Sequence, residues 1–553
     1  MMASMGWGWG FKRRVLALTG LIAIATAFTG TLTNAASVPT SVIIRGRDAS
    51  DESVRRAVSS VGGHITRRIG IINGYVASIP SGRESILSSD AAIVSVTPNA
   101  RIRLLSDPLP YKAAEDTGSL YEVSRIVGAQ TLWTRGFTGA GVDVALIDSG
   151  VAPVPGLDAT GKIVNGPDLS FDSPAANLRY LDTFGHGTHM AGIIAGRDAD
   201  AVTPYTDPAR FTGIAPDARL LSVKVAAADG STDVSQVIAA IDWVVQHKND
   251  NGLNVRVLNL SFGTDGLQSY MLDPLAFAAE VAWRKGIVVV VSAGNGGAAA
   301  TSLTDPGYDP YVIAAGADDP RGTETVADDV VAEFSSRGNS TRHADFLAPG
   351  KSVISLRVPN SYIDEHAPAG RVGTRFFRGS GTSQAAAVTS GVVALLLQQR
   401  PSLTPDQVKG ILLTTAAPLR SADPVSSGAG VIDASKARTS PPQQAAPQTF
   451  APSTGTGTLE GSRGSYHVTD NGVALTGEKD IFGQPFNTAT WAPASAAGST
   501  WSGGTWNGST WSGSTWSGST WSGSTWSGST CSGSTSSGHT LSGSIWSGST
   551  WSG

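Results

Sequence analysis

An acid, an imidazole and a hydroxyl stand far apart in this 553-residue chain, each framed by small residues. Asp148 closes the run Ala145-Leu146-Ile147 and is followed by Ser149-Gly150. His186 lies in Phe184-Gly185-His186-Gly187-Thr188-His189-Met190-Ala191-Gly192, and Ser383 in Gly379-Ser380-Gly381-Thr382-Ser383-Gln384-Ala385-Ala386-Ala387. A serine hydroxyl is a weak nucleophile at neutral pH and needs a base beside it. Histidine suits that task because its pKa lies near working pH. A carboxylate then fixes the ring's tautomer and stabilises the imidazolium formed during attack. A fourth stretch, Ser292-Ala293-Gly294-Asn295-Gly296-Gly297, follows an apolar run and offers the Asn295 amide beside the Ser383 N–H as donors for an oxyanion. Taken singly, Asp148 reads equally as a strand-end turn residue, His186 as a loop histidine and Ser383 as a helix N-cap. Together the four elements read as nucleophilic catalysis.

The elements that must carry these side chains are legible as periodicity. Apolar runs at residues 142–147, 220–225, 255–260 and 287–291 have the continuous pattern of fully buried parallel strands. Helical segments at residues 189–195, 234–247 and 275–285 separate them. This alternation predicts an α/β domain built on a doubly wound parallel sheet, with active residues beyond the carboxyl ends of the strands. His186 and Ser383 are each expected at the start of a helix, where free N–H groups favour developing negative charge.

The order Asp, His, Ser in these contexts resembles the subtilisin-like (S8, subtilase) serine peptidases. The resemblance covers residues 120–437 and extends to Gly213-Ile214-Ala215-Pro216 and Leu258-Asn259-Leu260-Ser261-Phe262-Gly263. It implies Asp148, His186 and Ser383 as a catalytic triad, with Asn295 and the Ser383 N–H as the oxyanion hole. It further implies that Ser261, Phe262, Gly263, Ser292, Ala293 and Gly294 line the site for the residue before the scissile bond. The implied activity is endopeptidase hydrolysis of polypeptides through an acyl-enzyme, with an apolar residue preferred before the cut. No cofactor is implied for the chemistry. Members of the family often bind structural calcium, for which Asp305, Asp309, Asp318, Asp319, Asp328 and Asp329 are candidates without a recognisable loop spacing. One departure is visible: Ala387 stands where the family usually has proline. His189 is expected to be structural. Asp182, just before the histidine motif, reads as a solvated loop carboxylate, with a role in orienting the motif as the alternative.

The flanks predict a secreted zymogen. Lys12, Arg13 and Arg14 precede an apolar run at residues 15–28, so residues 1–36 read as a signal peptide. Residues 40–105 read as a small β-α-β-β-α-β unit with a hairpin at Asn73-Gly74. That unit resembles the family's inhibitory propeptide, which implies self-cleavage between about Arg103 and Tyr121; an ordinary small α+β domain is the bland alternative. Residues 438–490 read as a linker rich in Pro, Gln, Ser, Thr and Gly. Residues 491–553 form a tail dominated by a Trp-Ser-Gly-Ser-Thr repeat, in which Cys531, Ser536 and Leu541 replace Trp. An odd period along an extended strand would alternate the tryptophans between faces. Disorder, a β-solenoid, self-association and polysaccharide or cell-wall contact all remain open for it. A net charge of −4 with no basic block beyond the short N-terminal one argues against nucleic-acid partners. Cys531 is the sole cysteine, so neither an intramolecular disulfide nor a thiolate metal site can form. The competing class of function is a non-catalytic surface or matrix adhesion protein that uses the triad domain as a scaffold.

Overall fold

In the computed structural model the described residues are 39–510 apart from 48–50, 73, 100–110, 421, 442–447, 471, 503 and 508, together with 515–516 and 519–520. The predicted signal peptide, Cys531 and most of the repeat array lie outside them. The chain divides into two compact units, one ending before residue 108 and one after it.

The first unit has the expected order: β1 (Pro39–Gly46), α1 (Asp51–Ser60), β2 (His64–Ile69), β3 (Gly74–Pro80), α2 (Glu84–Ser88) and β4 (Ile93–Pro98). Its antiparallel sheet runs β2-β3-β1-β4 over a core of Val42, Ile44, Val54, Val58, Tyr75, Ile79 and Leu87. The β2–β3 connection is longer than a two-residue hairpin, because β2 ends at Ile69 and Gly70–Ile72 form a 3₁₀ turn.

The second unit opens with α3 (Leu120–Ile126) and α4 (Ala129–Trp133). Its main sheet contains β5 (Asp143–Asp148), β6 (Ile163–Asp168), β7 (Arg219–Lys224), β8 (Val255–Leu260), β9 (Val288–Ser292), β10 (Ile313–Asp319), β11 (Val330–Val331) and β12 (Phe346–Pro349). The order is β11-β10-β9-β8-β5-β7-β6 with β12 beside β10, and every pairing is parallel except β10–β11. The buried Val/Ile/Leu runs therefore form the centre of a sheet covered on both faces. The covering helices are α5 (His186–Ala195), α6 (Val234–His247) and α7 (Pro274–Arg284), then α8 (Tyr362–His366) and α9 (Thr382–Gln399), with α10 (Pro405–Thr415), α11 (Pro424–Ser427) and α12 (Ala434–Thr439) completing the domain. Asp233 caps α6 in a capping box with Gln236, and Asp273 caps α7 ahead of Pro274.

The expected linker is corrected by the structure. Residues 448–510 pack onto α6 and α7, carrying α13 (Leu459–Arg463) and α14 (Thr488–Ala497). Arg463 is fully buried and pairs with Asp233 at 2.7 Å, while also donating to the carbonyl of Gly477 at 2.6 Å. Trp491 and Trp506 both donate their indole N–H to Oδ2 of Asp242 at 2.8 Å, and the Ser495 hydroxyl donates to Oδ1 at 2.5 Å. The Trp501 indole donates to the carbonyl of Ala239 at 2.8 Å. All three indoles belong to the main hydrophobic core.

The period-five reading is corrected as well. Among the described repeats the chain does not extend but reverses. Trp501–Ser502 pairs with Thr505–Trp506 and that strand with Ser509–Thr510, so Trp501 and Trp506 face each other across a hairpin and both point inward. Thr515–Trp516 and Ser519–Thr520 pair in the same manner.

Candidate active site

Asp148 is the last residue of β5, a strand buried along its whole length. Its carboxylate meets the ring at the start of α5: Nδ1 of His186 lies 3.0 Å from Oδ1 and 3.1 Å from Oδ2. A nitrogen facing both oxygens of an anion carries the proton, which leaves Nε2 as the basic position. The carboxylate is itself fixed, since Oδ1 accepts from the backbone N–H of Ser149 at 2.7 Å, with the Ser149 hydroxyl oxygen 3.2 Å away.

Asp182 is no solvated loop carboxylate. It is 2% exposed, and it accepts from the N–H groups of Gly185 at 2.6 Å and Thr188 at 2.7 Å and from the Ser149 hydroxyl at 2.8 Å. It therefore ties the first turn of α5, which carries His186, to the turn that follows Asp148. Burial pushes its pKa up while these donors oppose the rise. The sequence signal was the spacing of an acid three residues before a glycine that opens a helix. Lys224 was missed altogether. It pairs with Asp148 in the β5–β7 register, is 1% exposed, and donates to the carbonyls of Ser149 at 3.0 Å and Leu181 at 2.8 Å. A lone lysine closing an apolar strand was the available cue.

Ser383 occupies the first turn of α9 after an extended Gly381. Its hydroxyl donates to the carbonyl of Ser261 at 2.9 Å, and the Ser261 hydroxyl donates to Oδ1 of Asn259 at 2.7 Å while lying 3.2 Å from the carbonyl of Ser383. The end of β8 is thereby bound to the serine turn. Asn295 lies just past β9, where its Oδ1 accepts from the N–H of Thr382 at 2.9 Å and from its hydroxyl at 3.0 Å. The Asn295 amide oxygen is thereby engaged by Thr382, the residue that precedes Ser383. Gly294, at φ +102°, donates to the Thr382 hydroxyl at 3.1 Å.

The two predicted substrate stretches lie side by side, because the Ser292 hydroxyl donates to the carbonyl of Phe262 at 3.4 Å. Thr304, which sequence reasoning passed over, stands between them. A Cβ on Gly263 would meet its Oγ1 at 2.7 Å, and one on Gly294 would meet its Cγ2 at 2.8 Å. Both glycines are thus required by close approach.

His189, one turn after His186, is fully buried, and burial together with the His186 ring lowers its pKa to about 3. The six calcium candidates fall into two groups: Asp318, Asp319, Asp328 and Asp329 lie near one another, with Asp319 also paired to Lys351, and Asp305 lies near Asp309 and Asp273. Among the described residues no group of three His, Cys, Asp or Glu side chains is arranged to hold a metal ion.

Comparison with known proteins decides the family. The model of the subtilase family matches residues 139–457, more than half of the chain. The chain belongs to the subtilase family. The serine protease AprX of Bacillus subtilis (strain 168) is 38% identical over 361 residues, which is 64% of this chain and 76% of AprX. Subtilisin amylosacchariticus of Bacillus subtilis subsp. amylosacchariticus is 28% identical over 370 residues, covering 66% of this chain and 81% of that protein. Among solved structures, fervidolysin of Fervidobacterium pennivorans, a keratinolytic enzyme related to subtilisin, aligns with a TM-score of 0.46 at 24% identity over 75% of this chain and 63% of its own. The protein is a subtilisin-like serine peptidase on an α/β fold with a parallel sheet. The family match ends at residue 457, so most of the docked segment on α6 and α7 lies beyond it.

Proposed function

We propose that this subtilase is a secreted, self-processing endopeptidase whose triad is Asp148, His186 and Ser383. The observation that carries the reading is the buried contact of His186 Nδ1 with both oxygens of Asp148, on a helix α5 that packs against α9, whose first turn holds Ser383 and is locked to Asn295 and Ser261. During attack the Ser383 proton passes to Nε2 of His186 as Oγ bonds to the scissile carbonyl carbon. The oxyanion that forms is met by the Ser383 N–H and Asn295 Nδ2. The imidazolium, stabilised by Asp148, returns the proton to the leaving amine. Water then enters by the same route in reverse to release the acyl group from Ser383. Ser261, Phe262 and Gly263 opposite Ser292, Ala293 and Gly294 hold the residue before the cut, and Thr304 between them favours an uncharged side chain there.

The first unit acts as the inhibitory propeptide in this reading. The Tyr111 ring packs on Phe376 at 5.3 Å, Asp116 pairs with Arg378 at 2.6 Å, and the carbonyl of Gly118 accepts from Ile354 N–H at 2.7 Å. These contacts belong to the peptidase unit and favour a maturation cut before Tyr111, the early part of the expected window. Repeats beyond Thr510 remain the candidates for polysaccharide or cell-wall contact. The test is to express wild type beside Ser383→Ala and sequence the mature N-terminus. Wild type is expected to begin shortly before Tyr111 and the variant to keep residues 40–105. Processing of Ser383→Ala in pure form would refute self-cleavage.

A further inference from the structure

The segment that docks on α6 and α7 also reaches the substrate cleft. Residues 264–273 follow directly on Ser261–Gly263, and their hydrogen bonds run largely to the docked segment. Leu267 N–H donates to the carbonyl of Gly461 at 2.8 Å, and the Thr264 hydroxyl donates to the carbonyl of Ser462. The Gln268 amide is held at both ends, with Nε2 donating to the carbonyl of Thr458 at 2.7 Å and Oε1 accepting from Thr458 N–H at 3.0 Å. Asp265 accepts from the N–H of Ser465 at 2.7 Å and from its hydroxyl at 2.6 Å. The Ser462 hydroxyl donates to Asp273 Oδ2 at 2.6 Å. The anchor of this contact is the adjacent Arg463, buried against Asp233.

The other side of the loop forms the pocket wall. Thr264 and Asp305 exchange backbone hydrogen bonds at 3.1 and 2.8 Å, which places the loop edge against the segment that carries Thr304. An unbroken path therefore runs from α13 through residues 264–268 to both walls of the site for the residue before the cut.

We propose that α13 with its flanking residues Thr458 and Ser465, acting through Gln268 and Asp265, is a positioning element of the substrate cleft, so that peptide binding depends on a segment outside the family's own boundaries. This inference rests on the peptidase reading above. Gln268 and Asp265 are positioning residues, touching no substrate themselves. Their loss lets the loop and the Gly263 edge shift, and small misplacements of a substrate edge are costly to turnover.

Gly461 supplies an independent way to disturb the same contact. A Cβ there would lie 2.7 Å from Gln268 Cδ and 2.8 Å from its Oε1, so Gly461→Ala displaces the Gln268 side chain. The experiment uses the full-length processed enzyme and its Gln268→Ala, Gly461→Ala and double variants. Three readouts are taken: KM and kcat on a chromogenic tetrapeptide, the labelling rate with a small fluorophosphonate, and thermal stability. Each single variant is expected to raise KM about tenfold while labelling stays within about twofold, and the double variant is expected to match Gln268→Ala. Unchanged KM, a parallel fall in labelling and cleavage, or additive effects would each overturn the inference while leaving the peptidase reading intact. A wild type that neither labels nor cleaves would instead remove the peptidase reading and this inference with it.

Discussion

Asp148 and Asp242 are both fully buried carboxylates, and the two regions around them use burial for opposite ends. At the strand ends, Asp148 faces a ring nitrogen and a serine backbone that fixes it, and in the proposed mechanism that ring changes its proton during turnover. On the α6 face, Asp242 faces two indoles and a serine hydroxyl, none of which changes its proton at working pH. In the proposed mechanism the first arrangement serves chemistry, whereas the second serves permanence: a titratable partner suits a buried carboxylate to catalysis, and fixed donors make it a rivet.

The comparison is broken most severely at Asp148. Replacement by Asn leaves the packing but offers the ring the wrong tautomer, so kcat should fall about 10⁴-fold with thermal stability little changed. Peptide turnover alongside calorimetry checks this. Next in size, Arg463→Met strands a buried Asp233 and should cost about 3–5 kcal/mol of unfolding free energy in denaturant titration. Asn295→Leu should lower kcat by about 10²–10³-fold, or about 2.7–4 kcal/mol, a scale taken from subtilisin itself and thus from this family. Asp242→Asn should remove about 1–3 kcal/mol of stability and leave kcat within twofold. A drop in kcat matching that at Asp148 would erase the distinction between the two carboxylates.

The smallest effect sharpens the comparison through pH. His189 has its pKa lowered to about 3, so the unfolded chain binds a proton near its ordinary value that the folded chain refuses. Stability from this group is whole above about pH 6.5 and declines as pH falls toward about 3. His189→Gln should therefore resist acid better than wild type by about 2 kcal/mol at pH 5, with no such difference at pH 8. Chemical denaturation at the two pH values measures it.

What could be read from the sequence follows the same division. The triad contexts and the parallel strands are local, since a motif of a few residues fixes both the turn and the side chain it displays. Residues 255–260 and 234–247 were placed to the residue because apolar runs and the Asp233 cap mark their limits. The docked segment was misread as a linker because its composition is polar and its hold is non-local: Trp491 and Trp506 find Asp242 some 250 residues away, as the 249- and 264-residue separations of those bonds show. Nothing near Asp242 announces two indole partners. The repeat misled for a related reason, since periodicity assumes a chain that continues in one direction, whereas the turn at Gly504, with φ +90°, reverses it. Asp182 was undervalued because an acid in a loop is usually hydrated, and here three donors compensate its burial.

The claim on which the rest depends is that Ser383 is made nucleophilic by the ring Asp148 orients. Mapping the attachment point of a fluorophosphonate by peptide mass spectrometry tests it most directly, in wild type and His186→Ala. The predicted result is one adduct on Ser383 in wild type and a loss of labelling rate by several orders of magnitude in the variant. Labelling on another serine, or undiminished labelling of Ser383 without His186, would contradict it.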